Sequence, residues 1–517
     1  MRGTRPGGRA WSPSLAYTLI FVAHIVVVGA GMGGLAVAAR LATSRHDVTV
    51  CERSSTTGGM SGAIGRDGFT FTTGPGVLTL PAVYRDLFLK TGSAIEDVVD
   101  LVAVDTPTRE SFAGPNGTRT IVDVPNSSRS GIHDAFEDGF GAGAGEDWQR
   151  LVRRGGEIWG VTRKTLIEAP LLEDPRQRAE RLRSAGGRSD LRTTVPWKSL
   201  RSLARTYLGD PRLVAHLDRF AAEAGSDPRH APATLSVLPY LEETFGVWWV
   251  RGGLHRMTEA LRDRCDLRKV KVRVDTEVVS IELAAGRVRG VRLADGGRID
   301  ADLVITDVAA EALYTDLLPE ARTSPRARRV PAASSVLELH LALRGGTGRQ
   351  PHRSYLFADD PAREPEALFA DRPVAPTDPT LCVLAPDDAS MAPAGHSAWT
   401  VQVRVPRHGA LDWDAPGLRD TYPALLLDVM ARRGLDVRDR VLWSELRTPA
   451  DLERHTGAPG GEVPGSAADG PRDALRRVPN RSTVPGLYSV GSTAHPGGGL
   501  TRVGMSAALV AQLIGRA

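Results

Sequence analysis

His24-Ile25-Val26-Val27-Val28-Gly29-Ala30-Gly31-Met32-Gly33-Gly34 is a β-branched run that ends in a glycine fingerprint, and the apolar, alanine-rich stretch Leu35 to Ala42 follows it. The β-branched run suits a parallel strand buried on both faces, so the order reads strand, GxGxxG, helix. Gly29 permits the tight turn, Gly31 lets the backbone approach a pyrophosphate, and Gly34 lets helix and strand pack closely. The helix N-terminus adds N–H groups and partial positive charge. A second strand, Asp47 to Cys51, leads to Glu52, eighteen residues beyond Gly34. That is the spacing at which a carboxylate accepts hydrogen bonds from a ribose diol. The expected ligand is a dinucleotide.

The rest of the composition narrows the class. The chain has 517 residues, 41% hydrophobic and 24% charged, with 65 Lys+Arg against 61 Asp+Glu and a formal charge of +4. These proportions are those of a folded globular protein with room for several domains or one large discontinuous fold, and they do not suggest a nucleic-acid binder. Cys51, Cys265 and Cys382 are scattered and odd in number, which supports neither a disulfide framework nor a zinc site and makes a reducing cytoplasm the default. Residues 1–20 read as an extension of unknown role. Leu15 to Ala30 is not a signal peptide, since its second half is the strand that the fingerprint needs. No later stretch is long and apolar enough to predict a transmembrane helix.

After Glu52 the chain reads Arg53-Ser54-Ser55-Thr56-Thr57-Gly58-Gly59-Met60, and this doublet resembles that of the GR2-type FAD-binding flavoproteins. The far end supplies a complement: Val484 to Gly491, then Ser492-Thr493-Ala494-His495-Pro496-Gly497-Gly498-Gly499-Leu500, then a small-residue helix from about Val503 to Ile514. A second helix N-terminus there offers N–H groups to the pyrimidine end of a flavin. Together with Gly68 to Pro75, Gly225-Ser226-Asp227-Pro228 and Gly246 to Gly253, these residues resemble the bacterial-type phytoene desaturase family, FAD-dependent enzymes that dehydrogenate or isomerise carotenoids.

The resemblance implies an α/β fold: a Rossmann-like GR2-type FAD-binding domain with a discontinuous inserted domain that binds substrate and associates with membrane. It implies FAD contacts from Gly29, Gly31, Met32, Gly33, Gly34, Glu52, Arg53, Gly58, Gly59, Met60, Val278, Gly491, Ser492, Gly498, Gly499 and Leu500. It implies an apolar carotenoid or related isoprenoid as substrate and a cytoplasmic protein peripheral on the membrane. The chain departs from the family at Met60, where Arg or Lys is common, at Thr72, where Asp is usual, and at Gly76, where Thr or Ser is usual. Each change removes a polar group near the expected flavin.

The layout assigns 21–100, 250–310 and 470–517 to the FAD domain and 101–249 and 311–469 to the substrate domain. A helix Leu254 to Arg264, strands Val270 to Val274 and Val278 to Ile281, and a hairpin of Arg287 to Leu293 with Arg298 to Ile305 about Asp295-Gly296 are expected. Gly141-Ala142-Gly143-Ala144-Gly145 resembles a nucleotide loop but follows no buried strand and precedes Glu146-Asp147, so it reads as a linker. With no second fingerprint in the middle of the chain, the electron acceptor is expected to be oxygen, a quinone or an exchangeable small molecule. In the arginine-rich stretch Pro175 to Pro211, the stripe Leu200, Leu203, Ala204, Tyr207, Leu208 with Trp197 at its start fits a helix resting on an anionic membrane, or one packed on its own core.

No nucleophile triad, metal cluster or paired-carboxylate motif is legible, so the catalytic residues are left unknown and the flavin is the expected reagent. Glu223, Glu242 and Glu243 are the carboxylates weighed as proton acceptors. His495, beside Pro496 and the glycines, reads as shaping the loop, and Trp248 and Trp249 as channel lining or ordinary core. An amine oxidase, a redox-neutral carotenoid isomerase and a non-enzymatic FAD-binding relative are the alternative functions.

Overall fold

The computed structural model describes residues 22–106, 108–171, 176–177, 180–181, 197–319, 333–467 and 477–517. The extension 1–20 and much of the arginine-rich stretch, 182–196 included, lie outside the described residues.

The strand His24–Val28 is the middle of a five-stranded parallel sheet, ordered Lys271–Arg273, Asp47–Cys51, His24–Val28, Leu303–Thr306, Leu487–Ser489. Its side chains divide by alternation. Ile25 and Val27 pack with Leu35, Leu41 and Val510 on one face, and Val26 and Val28 with Val278, Val291 and Val304 on the other. Burial on both faces, at about 1.5–3 kcal/mol for each fully buried aliphatic side chain, is why a continuous apolar run forms this strand. On the first face, helix Met32–Thr43 contacts helices His255–Leu267 and Leu500–Ile514. Gly33, Gly34, Ala36, Ala38 and Ala39 are all buried, and their small size lets the neighbours approach. The second face is covered by the antiparallel sheet Val278–Ala284, Arg287–Leu293, Arg298–Asp300.

Arg298 to Ile305 is not a single hairpin arm: the arm ends at Asp300, and Leu303–Thr306 joins the parallel sheet instead. Asp302 makes the break, its N–H donating to His24 O at 2.9 Å and its Oδ2 accepting from His24 N–H at 2.8 Å. The fully buried Val304 and Ile305 then enter the core.

A seven-stranded mixed sheet forms the second layer system, ordered Val441–Arg447, Ser335–Arg344, His396–Val405, Leu381–Leu384, Arg353–Leu356, Thr108–Ala113, Arg119–Val124. Its one parallel pair, Arg353–Leu356 with Thr108–Ala113, joins segments distant in sequence. Helix Leu418–Arg432 closes one face through Tyr422, Leu426 and Val429, packed with Trp399 and Trp413. The strand Val247–Val250 lies between Leu78–Thr79 and Leu101–Ala103.

The glycines at 141–145 form the turn between helices Arg129–Phe140 and Ala144–Thr162, where the Glu137 carboxylate accepts from the N–H groups of Gly143 and Gly145. The donors a phosphate would need are already used. In helix Leu200–Tyr207 the side chains of Leu200 and Ala204 pack on Trp148, Leu213 and Leu217. The stripe is therefore occupied by the protein's own core and is not free to rest on lipid, while Trp197 stays 62% exposed. No described helix is long and apolar enough to cross a membrane.

Candidate active site

Three glycine segments meet at the carboxyl ends of the parallel strands, the position at which open α/β sheets bind ligands. Gly29 N–H donates to Cys51 O at 2.8 Å and Gly58 N–H to Ala30 O at 2.9 Å, which ties the first loop to the second strand and to the doublet. The approach is backbone to backbone: a Cβ at Gly59 would stand 3.5 Å from Gly31 Cα, and one at Gly33 would stand 3.2 Å from Gly491 Cα. Glu52 is buried against this loop, accepting from Ala30 N–H at 2.7 Å and from Ser54 N–H at 2.9 Å.

At the centre stands Asp307, which the sequence reading did not single out. It follows the strand Leu303–Thr306, and its Oδ2 accepts from Gly34 N–H at 2.8 Å. A Cβ at Gly31 would lie 2.6 Å from Oδ2 and one at Gly33 2.7 Å from Oδ1, and one at Gly491 would overlap Oδ1. Partial burial pushes the Asp307 carboxyl up to about 7, with the Glu52 charge adding to the rise and the N–H groups of Gly34 and Gly33 opposing it. The signal that could have found it is positional: an acid at the end of a strand adjacent to the fingerprint strand.

The other expected contact residues are near this cradle with different parts available. Met32 is buried with Sδ accepting from Thr258 Oγ1 at 3.2 Å, so its main chain is what faces the loop. The Arg53 guanidinium donates to Arg454 O at 2.8 Å, at the end of helix Pro449–Thr456, and is turned toward that helix. Met60 O accepts from Thr73 Oγ1 at 3.0 Å. Val278 is buried, paired with Leu293. Ser492 lies against Gly465, Gly498 against Pro464 O, and Gly499 precedes helix Leu500–Ile514. Leu500 O accepts from Tyr84 Oη at 2.9 Å.

Beyond the C-terminal loop opens a cavity of about 500 Å³. Its walls come from Gly74-Pro75-Gly76, helices Pro211–Glu223 and Val237–Phe245, the seven-stranded sheet and the loop His495–Leu500. Trp159, Phe220, Tyr355, Phe357 and Phe369 supply its aromatic surface. Trp248 and Trp249 do not line it, which corrects the channel reading. Trp248 Nε1 donates to Phe245 O and Trp249 Nε1 to Asp388, both directed elsewhere. His495 is buried with Nε2 3.1 Å from Ala169 O, and burial draws its imidazole down to about 4. It is a neutral brace between the loop and residues 166–169.

The three carboxylates separate. Glu242 Oε1 accepts from Arg353 at 2.6 Å and from Arg219 at 3.0 Å; these guanidiniums overcome its burial and hold it far below the usual carboxylate range. Glu243 lies off the cavity, accepting from Trp148 Nε1 at 2.5 Å, and burial pushes it up to about 7. Glu223 is on the cavity wall, hydrogen-bonded by Tyr355 Oη, with its side chain 42% exposed.

The departures at Thr72 and Gly76 have structural partners. Thr72 Oγ1 is 3.4 Å from His255 Nδ1. A Cβ at Gly76 would overlap Leu384 Cδ1, so an apolar side chain occupies the space a hydroxyl side chain would need. Elsewhere, His408, Asp412 and Asp414 bring ligand atoms within 4.8 Å of one another, but Asp414 is already paired with Arg454 at 2.7 Å.

This geometry suits a dinucleotide. Glycines clear the cradle of side chains, the start of helix Met32–Thr43 presents main-chain N–H groups, and a buried acid stands on the first turn. Comparison with known proteins agrees. The family described as "Flavin containing amine oxidoreductase" matches residues 32–394. A 4,4'-diapolycopene oxygenase of Methylomonas sp is 29% identical over 94% of this chain and 97% of its own length. A 4,4'-diaponeurosporene oxygenase of Staphylococcus haemolyticus is 26% identical over 95% and 96%. Among solved structures, an oxidoreductase from Methanosarcina mazei superposes with a TM-score of 0.64 at 18% identity, covering 95% of this chain and 100% of that one. A putrescine oxidase bound to putrescine superposes with 0.64 at 14% identity, covering 95% and 99%. At these identities the structures speak for the fold.

Proposed function

The chain belongs to the flavin-containing amine oxidoreductases, and from that premise we propose that this FAD-dependent oxidoreductase desaturates a long apolar isoprenoid of the carotenoid type. The observation that carries the reading is the aromatic cavity of about 500 Å³ that reaches the loop His495–Leu500. The relatives named for diapocarotenoids match along nearly the whole chain and support it.

When bound, FAD supplies a hydride acceptor. The glycine segments at 29–34, 58–59 and 491 would hold its dinucleotide portion by main-chain N–H groups, with Glu52 beside the ribose. Trp159, Phe220, Phe357 and Phe369 keep the cavity dry and orient a polyene along its length. Glu223 is the carboxylate assigned to take up the proton, since it faces the cavity and Tyr355 orients it, whereas Glu242 is held as a counter-ion. Peripheral contact with lipid is part of this proposal, and the exposed Trp197 is the side chain that would make it.

The relatives' names favour a second reading, oxygenation of a carotenoid, and pigment analysis separates the two. Expressed in a host that accumulates phytoene, the protein is expected to yield a red-shifted pigment lacking two hydrogens per step. Added oxygen on a later, more unsaturated carotenoid would replace desaturation with oxygenation. Unchanged pigments with FAD-loaded protein, both in that host and in one that accumulates a later, more unsaturated carotenoid, would overturn both.

Asp307 gives a test that needs no substrate. Its carboxylate and a pyrophosphate compete for the same N–H groups, and the two anions repel. Because its folded carboxyl titrates at about 7, it is largely neutral below that pH and charged above it. FAD affinity of the apoprotein is therefore expected to weaken as pH rises from about 6 to about 8, and Asp307→Asn is expected to bind FAD about tenfold tighter at the upper end with little pH dependence. Quenching of flavin fluorescence measures both; a variant as pH-dependent as the parent would exclude this role.

A further inference from the structure

The cavity wall holds three arginines that make no ion pair with any described residue. Arg477, only 9% exposed, has a buried Nη1 without a hydrogen-bond partner. A Cβ at Gly497 would overlap this nitrogen, so the first glycine of the triglycine run is what makes room for the guanidinium. Arg502, in the first turn of helix Leu500–Ile514, has neither ion pair nor hydrogen bond among the described residues and reaches back toward Gly499, whose Cβ would lie 3.9 Å from its Nη2. Arg404 spends Nη2 on Ser334 Oγ at 2.8 Å and on Val463 O at 2.5 Å, leaving Nε buried and unpaired. All three line the same cavity.

Their neighbours show how this chain treats a buried guanidinium when it is structural. Arg219, on the same wall, meets Glu110 at 3.3 Å, Glu242 at 3.0 Å and Glu223 at 3.6 Å, and Arg353 meets Glu242 at 2.6 Å. An unpaired buried cation is costly; Arg477 is one, and the half-buried Arg404 and Arg502 stand on the wall of the same apolar space without an ion pair to any described residue. Burial draws Arg477 down to about 9, with Arg502 adding repulsion, and draws Arg502 and Arg404 down to about 10, the charge of Glu223 on the same wall opposing the fall at Arg404. All remain charged near neutrality. The C-terminal helix N-terminus beside them adds partial charge of the same sign. Such a cluster lowers its free energy by taking an anion, and guanidinium forks match a carboxylate.

We propose that Arg477, Arg502 and Arg404 form an anion site at the end of the cavity beside the loop His495–Leu500, and that among isoprenoids the site prefers one with an apolar body and a carboxylate at one end over a plain hydrocarbon. This rests on the reading that the cavity takes the isoprenoid. The aromatic walls hold the body, and the arginines fix which end of the chain approaches the triglycine loop. A plain hydrocarbon would leave the three charges as they are.

The test uses FAD-loaded protein and two probes of equal length, all-trans-retinoic acid and all-trans-retinol, with binding followed by flavin absorbance and by equilibrium dialysis. The acid is expected to bind at least about tenfold tighter, the worth of one charge-assisted hydrogen bond. Arg477→Gln and Arg502→Gln are each expected to remove that preference while retinol affinity and FAD content stay as in the parent, and Arg477→Lys is expected to restore part of it. Equal affinity for acid and alcohol would overturn the anion site and leave the isoprenoid reading standing. Binding of neither probe would overturn the isoprenoid reading and this inference with it. Loss of FAD from the Gln variants, with the acid preference intact, would overturn the site as a substrate site and assign the arginines to the flavin.

Discussion

Gly34→Ala is expected to yield protein that purifies without FAD and unfolds at markedly lower temperature. A Cβ at this position would overlap the main-chain carbonyl oxygen of Gly29. That carbonyl belongs to the turn between the central strand and its helix, and Gly29 itself is fixed by its 2.8 Å bond to Cys51 O. No flexible side chain can yield, so helix Met32–Thr43 must shift away from the sheet. The helix is buried around most of its circumference, so the shift disturbs its packing on helices His255–Leu267 and Leu500–Ile514 as well. Overpacking of this kind costs about 1–3 kcal/mol where neighbours can adjust, and the upper end or more is expected where they are backbone. The N–H groups of Gly33 and Gly34 move with the helix, and FAD binding fails for the same reason. FAD content per chain and the thermal midpoint measure the effect; occupancy within twofold of the parent would show that the helix tolerates the displacement.

Glu242→Gln is expected to be the largest purely electrostatic loss. The carboxylate compensates Arg353 at 2.6 Å and Arg219 at 3.0 Å, and the two guanidinium side chains are only 4% and 5% exposed. Arg219 keeps Glu110 and Glu223 after the change, whereas Arg353 retains hydrogen bonds only to neutral Thr108 among its described side-chain partners. Breaking a buried pair by removing one partner costs about 3–5 kcal/mol, while replacing both partners with apolar residues is often neutral. Glu242→Gln combined with Arg353→Met is therefore expected to recover most of the stability lost by the single change. The pH dependence follows from the sign of the shift. Glu242 is held below its unfolded value, so its contribution is full above the ordinary carboxylate range and fades as pH falls through and below about 4. Denaturant unfolding at neutral pH measures both variants; a single-variant loss under about 1 kcal/mol would mean that the pair is already solvated.

Both predictions turn on groups that differ in how visible they are in the sequence. Gly34 belongs to a motif confined to one strand, one turn and one helix, and its requirement is local steric fit. The same holds for Glu52, for the strand ending at Val28 and for the loop before Leu500. The hairpin misreading at Arg298 to Ile305 shows where local pattern stops: nothing in the alternation of that stretch distinguishes an arm that continues from one broken by Asp302, because the deciding partner is His24. Trp248 and Trp249 likewise look like channel lining until the strand Val247–Val250 is placed between two others and their N–H groups find Phe245 and Asp388.

The sequence by itself determined the dinucleotide fold and its first glycine segment, because these depend on backbone conformations and close approaches that few residues other than glycine allow, at spacings set within a single βα unit; the flavin class and the C-terminal glycine loop followed from the resemblance to a known family. Tertiary structure alone decided that Asp307 stands among those glycines, that Glu242 is a counter-ion while Glu223 faces the cavity, that Leu384 fills the space beside Gly76, and that Arg404, Arg477 and Arg502 line one cavity without an ion pair to any described residue. Charge compensation and cavity shape are sums over residues far apart in the chain, and no local spacing encodes them.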